Sequence, residues 1–249
     1  MTVKFQNVLV LGATSGICQA VLQTLCADQC AFTLIARHET KLQSIAADLK
    51  VRGAKKVEVI AGDLSAVDGQ AALIDRAWPK SQAFDLAIVA YGIMFEQVDC
   101  QSQSALTVQT MNVNAISRMT LCEILASRFL EQKRGTLIGI SSVAGDRGRQ
   151  SNYIYAASKA AFSAYLSGLR ARLCKEGIHV MTVKPGIIDT PMTAHIQKRP
   201  FVVPPSIAAK YIVSGARSKR DVVYTPPIWG WIMLVIKHIP EFLFKKTKM

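Results

Sequence analysis

The sequence predicts a three-layer α/β fold: a doubly wound parallel sheet of about seven strands with helices on both faces. Three observations predict it. Short runs of Val, Ile, Leu and Ala recur along the chain with few polar interruptions, as strands covered on both faces require. Segments of helical length separate these runs, and strand–helix alternation at this spacing calls for parallel strands joined by right-handed crossovers. The 249 residues are 50% hydrophobic and 19% charged, which is ample for one large core and too apolar for a disordered chain.

In order, the strand-like runs are Val8–Leu11, Ala31–Ala36, Lys56–Ala61, Leu86–Ala90, Thr136–Ile140, His179–Lys184 and Val222–Thr225. Helical candidates lie near 15–27, 39–52, 66–78, 103–131, 153–175 and 206–216. No linker composition interrupts them, so 1–225 reads as one domain and 226–249 as a distinct tail. No Gly or Pro repeat is present, which excludes collagen-like and low-complexity classes. The six cysteines form no CxxC pair and sit in apolar segments, as reduced cytosolic thiols do. Four histidines at 38, 179, 195 and 238 are too scattered for a metal site, so no metal is expected. The N-terminus has no signal-peptide pattern, and no apolar run reaches the length needed to span a bilayer. The expected location is therefore the cytoplasm.

The first strand runs directly into LGATSGIC, which places Gly12 and Gly16 in the turn before the first helix. Glycines there let the backbone approach a pyrophosphate held at the positive end of that helix. At the end of strand two, where a carboxylate would accept hydrogen bonds from the ribose hydroxyls of NAD, the sequence has Ala36 followed by Arg37. A missing carboxylate and an available guanidinium favour the 2′-phosphate of NADP(H). Asp63, in AGDLS after strand three, suits either an adenine-side contact or a loop cap.

Tyr155 and Lys159 form Y-A-A-S-K, and positions four apart share a helix face. A phenol titrates near pH 10, too high for easy acid–base work, and a neighbouring ammonium favours its ionised form. Such a pair can protonate a developing alkoxide while a hydride arrives on carbon. Strand five ends in IGISSVAG, so Ser141 and Ser142 stand at the carboxyl edge of the sheet, where open α/β sheets bind ligands. A serine hydroxyl there can hydrogen-bond a substrate carbonyl. Asn112 and Asn114 lie in MNVNAIS within an otherwise apolar helix, where asparagine competes with its own backbone.

Over roughly residues 5–225 these features together resemble the short-chain dehydrogenase/reductase family, through GATSG, VAYG, NVNA, SSVAG, YAASK and PGIIDT in that order. The resemblance implies a Rossmann-type fold and a catalytic tetrad of Asn114, Ser142, Tyr155 and Lys159. It implies phosphate contacts at Gly12, Thr14, Ser15, Gly16 and Ile17, and further cofactor contacts at Arg37, Asp63, Leu64, Gly92, Tyr155 and Lys159. Pro185, Gly186, Ile188 and Thr190 correspond to the loop that grips the nicotinamide amide. The chain departs from the family pattern at Leu11 and Cys18, where Thr and a third glycine are usual, and at Val89-Ala90-Tyr91-Gly92, where Asn-Asn-Ala-Gly is usual.

The net charge of +13 is uneven, because ten Lys/Arg and only two acidic residues fall between His195 and Met249. Such asymmetry fits an acidic lipid, a phosphorylated substrate or nucleic acid, or else a solvated basic face. The tail TPPIWGWIMLVIKHIPEFLFKKTKM mixes Trp, aliphatic residues and lysine, a composition suited to the inner face of a membrane. A helix packed on its own domain or on another subunit fits the same residues. The tail is similar to that of a bacterial reductase group that includes decaprenylphosphoryl-2-keto-pentose reductases, which act on polyprenyl-phosphate sugars. The apolar, Pro-containing stretch 190–205 could close over an amphipathic substrate.

The expected function is NADPH-dependent reduction of a carbonyl on a small or lipid-linked substrate, by a homo-oligomer. An alcohol dehydrogenase working in the oxidative direction and a non-catalytic NADP-binding regulator are the alternatives. No motif for reading nucleic acid accompanies the basic tail, so no nucleic-acid partner is expected.

Overall fold

The computed structural model describes residues 3–194 and 200–247. His195, Lys198, Arg199 and Lys248, which belong to the histidines and the basic residues of the C-terminal region, lie outside the described residues, as does the middle of the 190–205 stretch.

Seven strands form one sheet: β1 (Asn7–Leu11), β2 (Ala31–Ala36), β3 (Lys56–Ala61), β4 (Leu86–Val89), β5 (Gly135–Ile140), β6 (Ile178–Pro185) and β7 (Val222–Thr225). They lie in the order β3-β2-β1-β4-β5-β6-β7, and every pairing is parallel. Their apolar character follows from burial on both sides. In β1, Val8 and Val10 enter one core cluster, while Leu9 and Leu11 enter the other.

The first cluster is closed by α1 (Gly16–Leu25), α2 (Glu39–Val51) and α8 (Pro205–Arg217), through Leu22, Leu42 and Ile212 among others. The second is closed by α3 (Gln70–Ala77), α6 (Ser117–Gln132) and α7 (Tyr153–Leu173), through Ile74, Phe129 and Phe162. Each large apolar side chain removed from water in these layers contributes roughly 1.5–3 kcal/mol. The chain winds outward from β1 to β3, then returns to start β4 on the other side of β1. The crevice at this reversal, beyond the carboxyl ends of β1 and β4, is where such sheets take ligands.

Three elements differ from the sequence reading. The helix expected over 66–78 begins only at Gln70, after a 3-10 turn at Val67–Gly69. The region before 103 holds a short helix, α4 (Gln97–Ser102). The single helix expected over 103–131 is α5 (Ser104–Met111), a π-helical turn at Asn112–Ile116, and α6. The π turn inserts one residue into the ladder and re-aims the side chains it carries, a device frequent at functional sites.

The tail forms α9 (Ile228–His238) and α10 (Glu241–Phe244), separated at Pro240, which has no N–H to continue a helix. Trp229, Met233, Ile236 and Phe244 are buried against Val143 in a third, smaller cluster. Arg147 fastens them. Its Nη1 donates to the carbonyls of Ile236 (2.6 Å) and Ile239 (2.5 Å) at the end of α9, its Nη2 pairs with Glu241 (2.8 Å), and its guanidinium lies 3.7 Å from the Phe244 ring centre. The tail is thereby joined to the loop that follows the end of β5. No helix among the described residues is long and apolar enough to cross a membrane.

Candidate active site

The first βα turn builds one wall of the crevice. Gly12 has φ +94°, a left-handed conformation that side chains rarely adopt, and a Cβ there would meet the Tyr91 backbone nitrogen at 2.5 Å. The turn and the β4 loop can cross this closely only with glycine at 12. Ser15 caps α1 in extended conformation without a side-chain hydrogen bond, so its hydroxyl leaves the first N–H groups of the helix open. Open N–H groups and the helix dipole together suit a phosphate.

A cavity of about 320 Å³ runs from this turn past the ends of β2, β3 and β4. Its walls include Gly12, Thr14, Ser15, Gly16, Ile17, Arg37, Asp63, Leu64, Gly92 and Thr190, all singled out from the sequence. Ala36, His38, Ser65, Tyr91, Gln109, Val113 and Met192 also line it and were not singled out as contacts. They come from strand, helix and loop alike, Ala36 from β2, Gln109 from α5, Val113 from the π turn and His38, Ser65 and Tyr91 from loops, so only the folded chain brings them to one wall.

Asp63 acts as a loop cap, one of its two readings. Its Oδ1 accepts the Ser65 N–H (2.9 Å) and hydroxyl (2.7 Å). Burial alone would raise this carboxyl, but the Ser65 hydrogen bonds and the Arg37 charge outweigh it and hold it below its ordinary value. Tyr91, which departs from the family pattern, turns its hydroxyl to Ser117 Oγ (3.1 Å) and the Leu64 carbonyl (3.3 Å), bracing the β3 and β4 loops against α6.

At the inner end of the crevice, Asn114 is wholly buried on the π turn. Its Oδ1 accepts the Ile93 N–H and its Nδ2 donates to the Ile93 carbonyl, both at 2.8 Å, with a further bond to Ser158 Oγ at 3.2 Å. Ser158 in turn donates to the Tyr155 carbonyl at 2.7 Å. One carboxamide thus joins the π turn, the β4 loop and α7. Asn112, by contrast, lines a shallow groove with Ser104 and Val108, away from this network. A Cβ on Gly92 would stand 2.9 Å from Asn114 Oδ1 and 3.5 Å from Lys159 Nζ, so both groups reach the crevice at that glycine.

Helix α7 is held on the sheet by Ser141, whose hydroxyl bonds the Lys159 carbonyl (3.1 Å) and Ser163 Oγ (2.7 Å). The next residue, Ser142, is half-buried, and its Oγ accepts the Ala144 N–H at 3.1 Å. Lys159 is 5% exposed, and its Nζ lies 5.5 Å from the Tyr155 ring centre. Burial pushes the phenol of Tyr155 above its ordinary value, and the Ser142 hydroxyl and the Arg118 guanidinium offset part of that rise. Burial pushes Lys159 well below the usual amine value, and the charge of Arg118 adds to the fall. Spacing alone casts the lysine as the cation that lowers the phenol. In the folded chain a second cation, Arg118, also favours the phenolate, while desolvation works against the Lys159 ammonium.

Pro185, Gly186 and Ile188 do not line the cavity. Pro185 ends β6, and Ile188 is buried, with its carbonyl accepting from Thr193 Oγ1 at 2.5 Å. Gly186 lies under the tail: a Cβ there would collide with the Trp229 indole at 1.9 Å. Five cysteines are buried and unpaired, with Cys18, Cys30 and Cys122 pushed up to about 12 by burial, while Cys174 is exposed. No cluster that could hold a metal occurs among the described residues.

A parallel sheet with this strand order, a glycine turn opening onto a helix N-terminus, and a buried Lys159 reaching the crevice at Gly92 with Tyr155 one helical turn before it define a dinucleotide-binding oxidoreductase. The family model for short chain dehydrogenases matches residues 6–200, and the chain belongs to that family. It is an NAD(P)-dependent oxidoreductase. An uncharacterized oxidoreductase of Streptomyces coelicolor is 29% identical over 242 residues, covering 97% of this chain and 95% of that protein. A short-chain dehydrogenase of Sphingobium yanoikuyae, solved in complex with NADPH, matches with a TM-score of 0.80 at 22% identity, over 95% of this chain and 97% of the other. A bulky-bulky ketone specific alcohol dehydrogenase of Comamonas testosteroni matches with a TM-score of 0.79 at 20% identity, over 96% of both chains.

Proposed function

We propose that the protein reduces a ketone or similar carbonyl with NADPH, on a small or amphipathic substrate, with lipid-linked sugars in that class. The observation that carries this reading is the meeting of Asn114 and Lys159 at Gly92, with Tyr155 one helical turn before the lysine. The residues present fit a dinucleotide: an open helix N-terminus for the pyrophosphate, and an exposed arginine beside Ala36 for a 2′-phosphate. NADPH, when bound, supplies the hydride. Ser142 would hydrogen-bond the carbonyl oxygen, and the Tyr155 hydroxyl would hand its proton to that oxygen as charge develops on it. Lys159 would hold the nicotinamide ribose and favour the phenolate left behind. Asn114 fixes the β4 loop against α7 and keeps the proton path to the lysine in place.

The test is NADPH oxidation with a panel of simple ketones and lipid-linked keto-sugars. Turnover on any of them supports the reading, and the preferred member names the substrate class. Tight NADPH binding with no turnover across the panel would favour the regulatory alternative, and turnover only of NADP+ with alcohols would favour the oxidative one.

Trp231, Val235 and Phe242 are 71%, 66% and 61% exposed on the outer side of α9 and α10, beside Lys237, Lys245 and Lys246. We infer that this apolar and cationic face rests on an anionic lipid surface. Vesicles rich in phosphatidylserine should sediment the protein and release it when Trp231 and Phe242 become serine. Loss of a dimer in that variant, with vesicle binding unchanged, would instead assign the face to a second copy of the chain.

A further inference from the structure

Arg118 is the largest fully buried side chain among the described residues, with 0% exposure. An arginine so placed normally has a carboxylate partner. Here the groups around it are the two strand ends and two aromatic rings. Its Nη2 donates to the Val89 carbonyl at 2.9 Å and to the Ile140 carbonyl at 2.7 Å. Those are the last residues of β4 and β5, the strands whose following loops carry Gly92 and Ser142. The guanidinium lies 3.9 Å from the Phe162 ring centre on α7 and 5.7 Å from that of Tyr91 on the β4 loop. Its Nε and Nη1 have no protein partner.

We propose that Arg118 is a positioning residue of the active site, a fixed internal cation that ties the ends of β4 and β5 together beneath the loops carrying Gly92 and Ser142 and against Phe162 of α7. The inference rests on the proposed role of Tyr155 as proton donor and adds to it the group that sets the local charge. The burial of an unpaired cation opposes folding, so a hydrophobic residue would serve the core better at this position. What the cation supplies is a positive potential that no solvent screens. Tyr155 faces Lys159 from its own helix, Ser142 from the β5 loop and Arg118 from α6. Arg118 also faces Tyr91 and the Cys122 thiol. The charges that act most on Arg118 and Lys159 include no carboxylate. The Arg118 charge therefore favours phenolate at Tyr155 and disfavours the ammonium form of Lys159.

The experiment compares wild type, Arg118→Met and Arg118→Lys, with NADPH binding as the check that each is folded. The substrate-independent readout is the titration of Tyr155 followed by ring-carbon NMR in protein with isotopically labelled tyrosine, the signal being assigned by its loss in Tyr155→Phe. Arg118→Met should move the Tyr155 midpoint up by about one pH unit, the low end of the effect of a nearby charge. Arg118→Lys keeps the charge but loses the fork, so its midpoint should stay in place while turnover falls about tenfold from misplaced strand ends. An unmoved midpoint in Arg118→Met overturns the proposal. If that variant does not fold, Arg118→Lys decides: a displaced midpoint or wild-type turnover in it overturns the proposal. Absence of carbonyl reduction in the wild type rejects the functional reading and leaves the NMR titration to judge Arg118.

Discussion

Cutting Arg147 back to alanine should unfasten the tail from the loop that carries Ser142, and the structure gives the size of the effect. Arg147 is largely buried, and it supplies two short charged hydrogen bonds to the final carbonyls of α9. Deleting a charged donor costs about 1.5–3 kcal/mol per bond, less where the orphaned carbonyls can reach water. The stack on Phe244 adds about 0.5–1 kcal/mol. The ion pair adds little, because Glu241 is 78% exposed. A loss of about 3 kcal/mol is the central value, and for a chain of this size it lowers the melting temperature by roughly 6–12 °C. Hydrogen exchange should show α9 losing protection while β1 and β4 keep theirs. Turnover should fall about tenfold, since Val143 packs directly on the tail and Ser142 precedes it. A melting temperature within about 1 °C of wild type, with α9 still protected, would refute the reasoning.

Three further outcomes are expected. Gly12→Ala forces a Cβ onto the Tyr91 backbone at a positive φ, so NADPH affinity, read by fluorescence titration, should weaken at least about tenfold with a lowered melting temperature; wild-type affinity would show that the crossing of the two loops is not needed. Ala36→Asp places a carboxylate where the ribose 2′ position would lie, so the ratio of kcat/KM for NADPH over NADH should fall by at least about tenfold; an unchanged ratio would remove this end of β2 from cofactor choice. Because Tyr155 must carry its proton for reduction and burial raises its pKa, the reduction rate should hold level through neutral pH and decline as pH rises through the phenol value, while alcohol oxidation climbs over the same interval. A reduction rate that instead increases into alkaline pH would contradict the assigned direction of proton transfer.

The sheet was legible because its strands are continuous apolar runs, and each lies within two residues of its sequence-derived bounds. The crevice residues of the first turn were legible for the same reason: LGATSG directly follows such a run. The π turn was not, since a single phase step between two short apolar stretches cannot be told from ordinary irregularity in the helical pattern. Yet that step decides where Asn114 points. Composition made the tail's amphipathic character plain but hid its docking, which depends on Arg147 meeting carbonyls about 90 residues away in the chain. Gly186 illustrates a glycine whose need comes from a packing partner, Trp229, that no local motif reveals. Arg118 left one trace, a charged residue on the same helical face as Leu121, Cys122 and Leu125, where a polar group interrupts a buried apolar stripe.

The most direct measurement is single-turnover reduction by Tyr155→Phe alongside an NADPH binding titration of the same protein. Removing one hydroxyl should leave the dissociation constant for NADPH close to wild type and slow hydride transfer by on the order of 10²–10⁴. Near-normal transfer in that variant would mean that the proton comes from another group, and the roles assigned to Lys159, Ser142 and Arg118 would fall with it.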